Sequence, residues 1–266
     1  FSDIDKFKCS GSTAVAIGKF DGIHKGHVKL LQQVLNEKKN GYEALAFTFE
    51  RPIADFCTGG ISQVLTTNEE KREYLSELGF DYEIIMPVNA DTVSIAPEIF
   101  LRDIIAGKLH AGVIAAGPDL SFGRNGSGNF ELLSKMADDS GYRALKVDKV
   151  RYSGEDISST LVRDHVSSGD MEYAGQLLGH PYSVSGRVTY GRHLGRTLDM
   201  PTVNLEPEPF KLLPPFGVYF SDIIIGTDRY HGITNIGIKP TVTDEGKITV
   251  ETYIYDFNDD LYGETL

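Results

Sequence analysis

The change of pattern near Leu178 is the feature that most constrains the fold of this chain. Before it, short apolar runs alternate with segments whose apolar residues recur at helical spacing. Strands that alternate with helices form a parallel sheet covered on both faces. After the segment Leu178-Gly179-His180-Pro181, helical periodicity is weak and the pattern is typical of strands and turns. We therefore expect an α/β domain over residues 1–179 and a small antiparallel β-barrel over residues 180–266.

These local patterns predict the individual elements, and 266 residues suffice for two domains. The predicted strands of the first domain are Thr13–Ile17, Ala44–Phe49, Tyr82–Met86, Gly112–Ala116 and Ala144–Val147. Its predicted helices are Gly26–Lys39, Asn68–Leu78, Pro97–Ala106, Glu131–Asp138 and Ser159–Ser168. The predicted strands of the second domain are Tyr182–Tyr190, Gly217–Ile225, Arg229–Ile236 and Ile248–Phe257. In a parallel sheet, ligands bind beyond the carboxyl ends of the strands, so we expect functional residues there.

Composition excludes several classes of function. A net charge of −12 argues against a general binder of nucleic acid or of membrane surfaces, which would need a basic face. Two cysteines, Cys9 and Cys57, indicate neither a disulfide framework nor a zinc cluster. With no apolar run of membrane-spanning length and no signal-peptide pattern, we expect a cytoplasmic protein. These numbers neither predict nor exclude self-association of the chain.

The richest local pattern lies between the first predicted strand and the first predicted helix, from Ile17 to His27. Gly18 and Gly22 allow a tight turn, and Gly26 removes a side chain where a phosphate could rest. A helix N-terminus presents free N–H groups and the positive end of a dipole, both of which favour phosphate. His24 and His27, three residues apart, share one side of the first turn. A glycine-rich turn alone is weak evidence, but this conjunction favours a nucleotide site over a purely structural turn.

This turn resembles the Gly-x-Phe-Asp-Gly-x-His-x-Gly-His signature of bacterial bifunctional riboflavin kinase/FMN adenylyltransferases (FAD synthetases). Three further segments resemble the nucleotidyltransferase half of that family: Leu65–Lys71, Gly117–Gly123 with Leu120 in place of Phe, and Ile157–Arg163. The resemblance implies a Rossmann-like nucleotidyltransferase domain that transfers the adenylyl group of ATP to FMN.

The resemblance also implies roles for single residues. It implies charge stabilisation on the phosphates by His24, His27 and Arg163, and ligand binding by Gly18, Phe20, Asp21, Asp119, Ser158, Ser159 and Thr160. Several of these residues also have a purely structural interpretation. Asp-Gly is a common turn pair, and the serines and threonine are typical of a helix N-cap. The family's Phe-x-Pro-His-Pro run is replaced here by residues 49–53, Phe-Glu-Arg-Pro-Ile, which lack a histidine.

A second motif follows the first strand of the predicted barrel. Residues 191–204, from Gly191 to Asn204, resemble the riboflavin kinase motif Gly-x-x-x-Gly-Arg-x-Leu-Gly-Phe-Pro-Thr-Ala-Asn. The resemblance implies a nucleotide-binding loop that contains Gly191, Gly195, Arg196 and Pro201. Thr202 and Asn204 offer the hard oxygen ligands that Mg²⁺ prefers. Asp199 and Met200 replace the family's Gly and Phe.

The resemblance continues along the second half. Residues 216–219, the segment 235–241 that begins with Asn235, and residues 250–263 match further family motifs. Asn235 is implied in ligand binding and Glu251 as the general base on the ribityl hydroxyl. By periodicity alone, Glu251 could equally be an outward strand residue. The family's kinase half extends beyond its Leu-Tyr-Gly run, whereas this sequence stops three residues after Gly263, so we expect a longer natural protein.

The leading hypothesis is a two-domain transferase that phosphorylates riboflavin to FMN and adenylylates FMN to FAD, using Mg²⁺ and ATP. The flavins are substrate and product, and no nucleic-acid or membrane partner is expected. One alternative keeps only the adenylyltransferase activity, and another is a non-catalytic flavin-binding regulator. A nucleotidyltransferase that acts on a pantetheine or nicotinamide nucleotide is disfavoured by the motifs of the second half.

Overall fold

A computed structural model describes residues 4–189, 202–238 and 248–266. Contacts divide the chain into two compact units. The first unit runs to Val162 and includes Gln176–Gly179, and the second contains Arg163–Gly175 and His180–Leu266. The domain boundary expected after Gly179 stays a prediction. Across the described residues, no helix is both long and apolar enough to cross a bilayer.

The first unit contains a five-stranded parallel sheet in the order β3-β2-β1-β4-β5. Its strands are β1 (Thr13–Ile17), β2 (Glu43–Phe49), β3 (Tyr82–Met86), β4 (Ala111–Ala116) and β5 (Arg143–Lys146). A short hairpin follows, formed by β6 (Arg151–Tyr152) and β7 (Glu155–Asp156). The predicted parallel α/β architecture is confirmed, and all five predicted strands form with ends shifted by at most one residue.

The helices, as the structure has them, are α1 (Lys25–Asn36), α2 (Ile53–Thr58), α3 (Asn68–Leu78), α4 (Ala90–Val93), α5 (Pro97–Ile99), α6 (Phe130–Lys135), α7 (Ala137–Ser140), α8 (Ser159–Ser168) and α9 (Met171–Leu178). Short 3₁₀ segments cover Ile4–Lys6, Glu37–Asn40 and Arg124–Gly126, and a π-helical stretch, Phe100–Lys108, continues α5. The helix predicted over residues 131–138 is split at Met136, and α2, α4 and α9 were not predicted. These are short helices, for which apolar periodicity gives a weak signal.

Alternation along β1 explains how the parallel sheet is covered on both faces. Val15 and Ile17 belong to one buried cluster, while Ala14 and Ala16 belong to another that contains Leu31 of α1. Successive strand side chains point to opposite faces, so one strand of five residues serves two cores. The small alanines let α1 pack closely on its face and thereby place its N-terminus at the end of β1.

The second unit contains a five-stranded antiparallel sheet in the order β10-β11-β12-β9-β8. Its strands are β8 (Arg187–Thr189), β9 (Thr202–Glu206), β10 (Gly217–Ile225), β11 (Asp228–Ile238) and β12 (Ile248–Ile254). The predicted antiparallel class is confirmed. One local prediction was wrong, because the predicted strand over residues 182–190 begins only at Arg187. One strand was not predicted, since residues 202–206 form β9. Pairing of β9 with both β8 and β12, which is non-local, explains the second difference.

Candidate functional site

The turn after β1 has an unusual backbone. Phe20, Gly22 and Ile23 all have positive φ, at 51°, 85° and 40°. Two of these are not glycine, and their side chains are fully buried. Such conformations cost free energy and persist only where the surroundings impose them. Gly18 has its own constraint, because a Cβ there would lie 2.8 Å from the Phe20 ring.

Hydrogen bonds from distant segments hold this turn. The Asp21 carboxylate accepts from the backbone N–H groups of Leu65 (2.7 Å) and Thr66 (3.1 Å). The Gly22 N–H donates to the Thr66 hydroxyl at 2.9 Å. On another side, the Ser159 hydroxyl donates to the Asp21 carbonyl at 2.7 Å. Asp21 and Ser159 therefore have structural roles, and their contact with a nucleotide stays a prediction.

The turn delivers two histidines to the start of α1. His24 is the N-cap residue, and its Nδ1 accepts from the His27 backbone N–H at 3.3 Å. The two rings stack with centroids 3.7 Å apart, and the Phe20 ring meets His27 edge-on at 5.4 Å. A Cβ on Gly26 would lie 3.1 Å from His24 Cε1 and Nδ1. The glycine between the histidines thus leaves room for the His24 ring itself.

Burial sets the protonation of both histidines. It lowers the pKa of His24 to about 4. It also lowers the pKa of His27 well below its usual value, with further contributions from the charges of His24 and Lys71. Both rings are therefore neutral at pH 7. Since His24 Nδ1 accepts a hydrogen bond, its proton resides on Nε2, which can donate to a ligand. His27 Nδ1 is buried, with no hydrogen-bond partner among the described residues.

The other predicted residues of this half lie on α8 and in the loop after β4. The Ser158 hydroxyl accepts from the Leu161 N–H at 3.2 Å, as an N-cap does, and Thr160 lies in the first turn of α8. Arg163 is on the same helix, in the part grouped with the second unit. Asp119 is 74% exposed and forms an ion pair with Lys149 at 2.6 Å.

The segment that departs from the family pattern adopts a definite structure. The guanidinium of Arg51 donates to the Val88 carbonyl at 3.1 Å, and Pro52 precedes α2 as its N-cap residue. The Asn68 side chain donates to the Glu50 carbonyl at 3.0 Å. These bonds tie the segment to the loop after β3 and to the start of α3.

The sequence analysis did not single out one charged residue that lies beside the turn after β1. Lys71, on α3, is only 4% exposed, and its ammonium donates to the Thr48 hydroxyl at the end of β2 at 3.2 Å. A signal was available, because Lys71 lies four residues before the buried Leu75 and therefore on the same helix face.

In the second unit, strand register brings three predicted residues into one row. Asn204 of β9 is opposite Glu251 of β12, which is opposite Asn235 of β11. Residues opposite each other on antiparallel strands share a face, with Cβ atoms about 5 Å apart. Thr202, two residues from Asn204, points to that face as well. Val250 and Thr252, on either side of Glu251, are buried on the opposite face.

Gly191, Gly195, Arg196 and Pro201, predicted for the nucleotide loop, lie outside the described residues, as do Asp199 and Met200. Within the described ranges, no three His, Cys, Asp or Glu side chains come together as a metal site. Thr202 and Asn204 supply neutral oxygen donors next to the Glu251 carboxylate, a donor set that fits Mg²⁺.

Each half of the chain matches a known protein family. The FAD synthetase family matches residues 6–161, and the riboflavin kinase family matches residues 178–266. The chain belongs to the bifunctional riboflavin kinase/FMN adenylyltransferase family.

Individual relatives in that family are similar along nearly the whole chain. The protein of Listeria monocytogenes with this name is 32% identical over 255 residues, which cover 94% of this chain and 80% of the relative. That of Escherichia coli K12 is 34% identical over 252 residues, with the same coverage. The Bacillus subtilis protein is 31% identical over 264 residues, covering 96% and 81%.

A solved structure supports the fold. A crystal structure described as a macrolide-efflux protein from Streptococcus pneumoniae has a TM-score of 0.84 to this chain at 27% identity. The match covers 100% of this chain and 86% of the other. Its description concerns that protein, and the likeness bears here on the fold.

Proposed function

We propose that the two halves of this chain carry out two successive ATP-dependent transfers. The second half phosphorylates riboflavin to FMN, and the first half adenylylates FMN to FAD with release of pyrophosphate. The single observation that carries this proposal is the presence of both matched families in one chain. Both reactions belong in the cytoplasm, where ATP is available.

In adenylyl transfer, the FMN phosphate attacks the α-phosphorus of ATP. This chemistry needs positioning and charge stabilisation more than covalent participation by the protein. The N-terminus of α1 supplies N–H groups and a positive dipole end for the phosphates. His24 donates through Nε2, and His27 completes the pair. Because both rings are neutral, they bind phosphate oxygens by hydrogen bonding and add no positive charge of their own.

Residues around α8 complete this proposed site. Ser158, Ser159 and Thr160 stand at a helix start, where free N–H groups and the hydroxyls of Ser158 and Thr160 can bind phosphate. The Ser159 hydroxyl already donates to the Asp21 carbonyl. Arg163 is the candidate for pairing with phosphate charge. Asp119 is the candidate for contact with substrate from the loop after β4, and its ion pair with Lys149 would then open or shift on binding.

In riboflavin phosphorylation, Glu251 is the proposed general base. Its carboxylate accepts the proton of the ribityl hydroxyl as that oxygen attacks the γ-phosphorus of ATP, whose bond to the bridging oxygen breaks so that ADP leaves. Asn235, in the same row, is the candidate for binding and orienting the substrate. Thr202 and Asn204 would hold Mg²⁺, which neutralises charge on the ATP phosphates when bound.

One assay tests both steps. The chain is incubated with ATP and Mg²⁺ and with either riboflavin or FMN, and the flavins are separated by chromatography. We expect FMN and FAD from riboflavin, and FAD from FMN. FAD formed only when FMN is supplied would restrict the chain to adenylyl transfer. Flavin binding without turnover would indicate a regulator and contradict the proposal.

A further inference from the structure

A buried ammonium lies beside the turn that carries the histidines, and nothing in the mechanism above uses it. Lys71 is 4% exposed, although lysine is almost never fully buried unless it is paired. Its Nζ donates to the Thr48 hydroxyl at 3.2 Å and to the Asn68 side-chain oxygen at 3.5 Å. Burial lowers the pKa of Lys71, and the carboxylates of Glu83 on β3 and Asp21 in the turn oppose this shift in part by favouring the charged form.

Thr48 connects this ammonium to the turn. Its side chain is fully buried, and its hydroxyl donates to the Lys19 carbonyl at 3.1 Å. One hydroxyl therefore accepts from Lys71 and donates to the turn, which makes a continuous chain of hydrogen bonds. Such chains strengthen one another where the surroundings are dry. The Lys19 carbonyl immediately precedes Phe20, the first residue of the turn with a positive φ.

We propose that Lys71 is a positioning residue for adenylyl transfer, which it serves by fixing the Thr48 hydroxyl on the Lys19 carbonyl and so holding the turn that carries His24 and His27. The inference rests on the proposed function of the first half. Lys71 acts on the turn through bonds and through charge, and it touches neither ATP nor FMN.

The strained backbone explains why such a restraint matters. With positive φ at Phe20 and Ile23, which are not glycine, the turn needs partners that impose its conformation. Asp21 holds one side through Leu65 and Thr66, and Ser159 holds another. The Lys71–Thr48 bond holds the entry to the turn. Loss of this restraint lets the stacked histidines move, and small displacements of catalytic groups cost large factors in rate.

The test compares variants of the full chain in FAD formation from FMN, ATP and Mg²⁺. Thr48→Val removes the hydroxyl while keeping the size of the side chain, and Thr48→Ser keeps the hydroxyl. We expect kcat to fall about tenfold in Thr48→Val, with KM for ATP little changed, and Thr48→Ser to retain most of the activity. Lys71→Met should lower kcat by about 10- to 100-fold. Lys38→Met is the matched control, because it removes an exposed lysine paired with Asp81 at 2.8 Å elsewhere in the same unit.

The double variant Lys71→Met/Thr48→Val decides whether the two residues act as one chain. If they do, the double variant is no slower than Lys71→Met alone. Multiplied effects would contradict the proposal, as would equal activities of Thr48→Val and Thr48→Ser. A large loss in Lys71→Met with Thr48→Val at the wild-type rate would mean that Lys71 contacts substrate directly, and would also overturn it.

Two controls keep the outcomes distinct. Thermal unfolding shows whether Lys71→Met folds, and if it does not, the Thr48→Val and Thr48→Ser pair carries the test alone. A wild-type chain that makes no FAD would contradict the proposed function. A wild-type chain that makes FAD beside variants that match it would contradict only the role of Lys71.

Discussion

The two candidate sites hold their polar groups in opposite ways. In the first unit, His24 is 6% exposed and stacks on His27 at the end of a turn that several distant segments restrain. In the second unit, Asn204 and Glu251 are half-buried and Asn235 is exposed, in a row across one face of a sheet.

The difference shows two ways to preorganise charge. Burial changes the chemistry of the histidines, because desolvation keeps them neutral, but it requires a strained turn and many hydrogen bonds. Strand register places Glu251 and Asn204 by geometry alone. A slip of one residue would send them to opposite faces, so the pairing itself is the essential restraint.

The largest expected effect is at the second site, where one substitution should remove one activity and leave the other. Glu251→Gln removes the proposed base while keeping shape, so kcat for riboflavin phosphorylation should fall by about 10²- to 10⁴-fold. FAD formation from FMN by the same variant should be unchanged. Glu208→Gln, at an exposed position of the same unit, is the control. An equal loss of both activities would show that the variant disturbs folding.

A substitution at His24 should impair the first site and leave the second site active. His24→Asn removes the imidazole, while Asn is a strong N-cap residue and can accept the His27 N–H in its place. FAD formation should fall by about 100-fold, with riboflavin phosphorylation retained. Steady-state rates for the two substrates measure both. Wild-type FAD formation would remove His24 from the mechanism.

The pH dependence of stability sharpens the contrast between buried and exposed groups. The pKa of His24 is lowered to about 4 by burial, so between pH 6.5 and 4 the unfolded state binds more protons than the folded state. The contribution of the neutral His24 ring to the free energy of unfolding is fully present above pH 6.5 and is lost as pH falls towards 4. Urea unfolding should show that the wild type loses about 2 kcal/mol more than His24→Asn between pH 7 and 5. If wild type and His24→Asn lost the same free energy of unfolding between pH 7 and 5, the His24 ring would be exposed to water rather than buried.

The smallest expected effect separates folding from function. Gly26→Ala adds a Cβ 3.1 Å from the His24 ring, which must shift by a few tenths of an ångström. Alanine favours helix, so stability should change by less than about 1 kcal/mol, while FAD formation falls about tenfold. Gly175→Ala is the control, since its Cβ would meet the His180 carbonyl at an ordinary 3.6 Å. Full activity in Gly26→Ala would mean that the position of this ring matters little.

Much of the fold was predictable because it depends on local pattern. The five strands of the parallel sheet are short apolar runs between helical segments, and the predicted ends differ from the observed ones by at most one residue. The short helices and the extent of β8 were not predictable in this way. β9 forms because Asn204 and Glu251, 47 positions apart, pair in register, and no local pattern encodes such a pairing.

The same division applies to the sites. The sequence by itself determined that a glycine-rich turn with two histidines follows a buried strand, and it singled out Glu251, Thr202 and Asn204 by resemblance. Only the tertiary structure stacked and desolvated the histidines and buried Lys71 against Thr48. The physical reason is that burial and long-range hydrogen bonding depend on residues distant in sequence, whereas turns and strands depend on their neighbours.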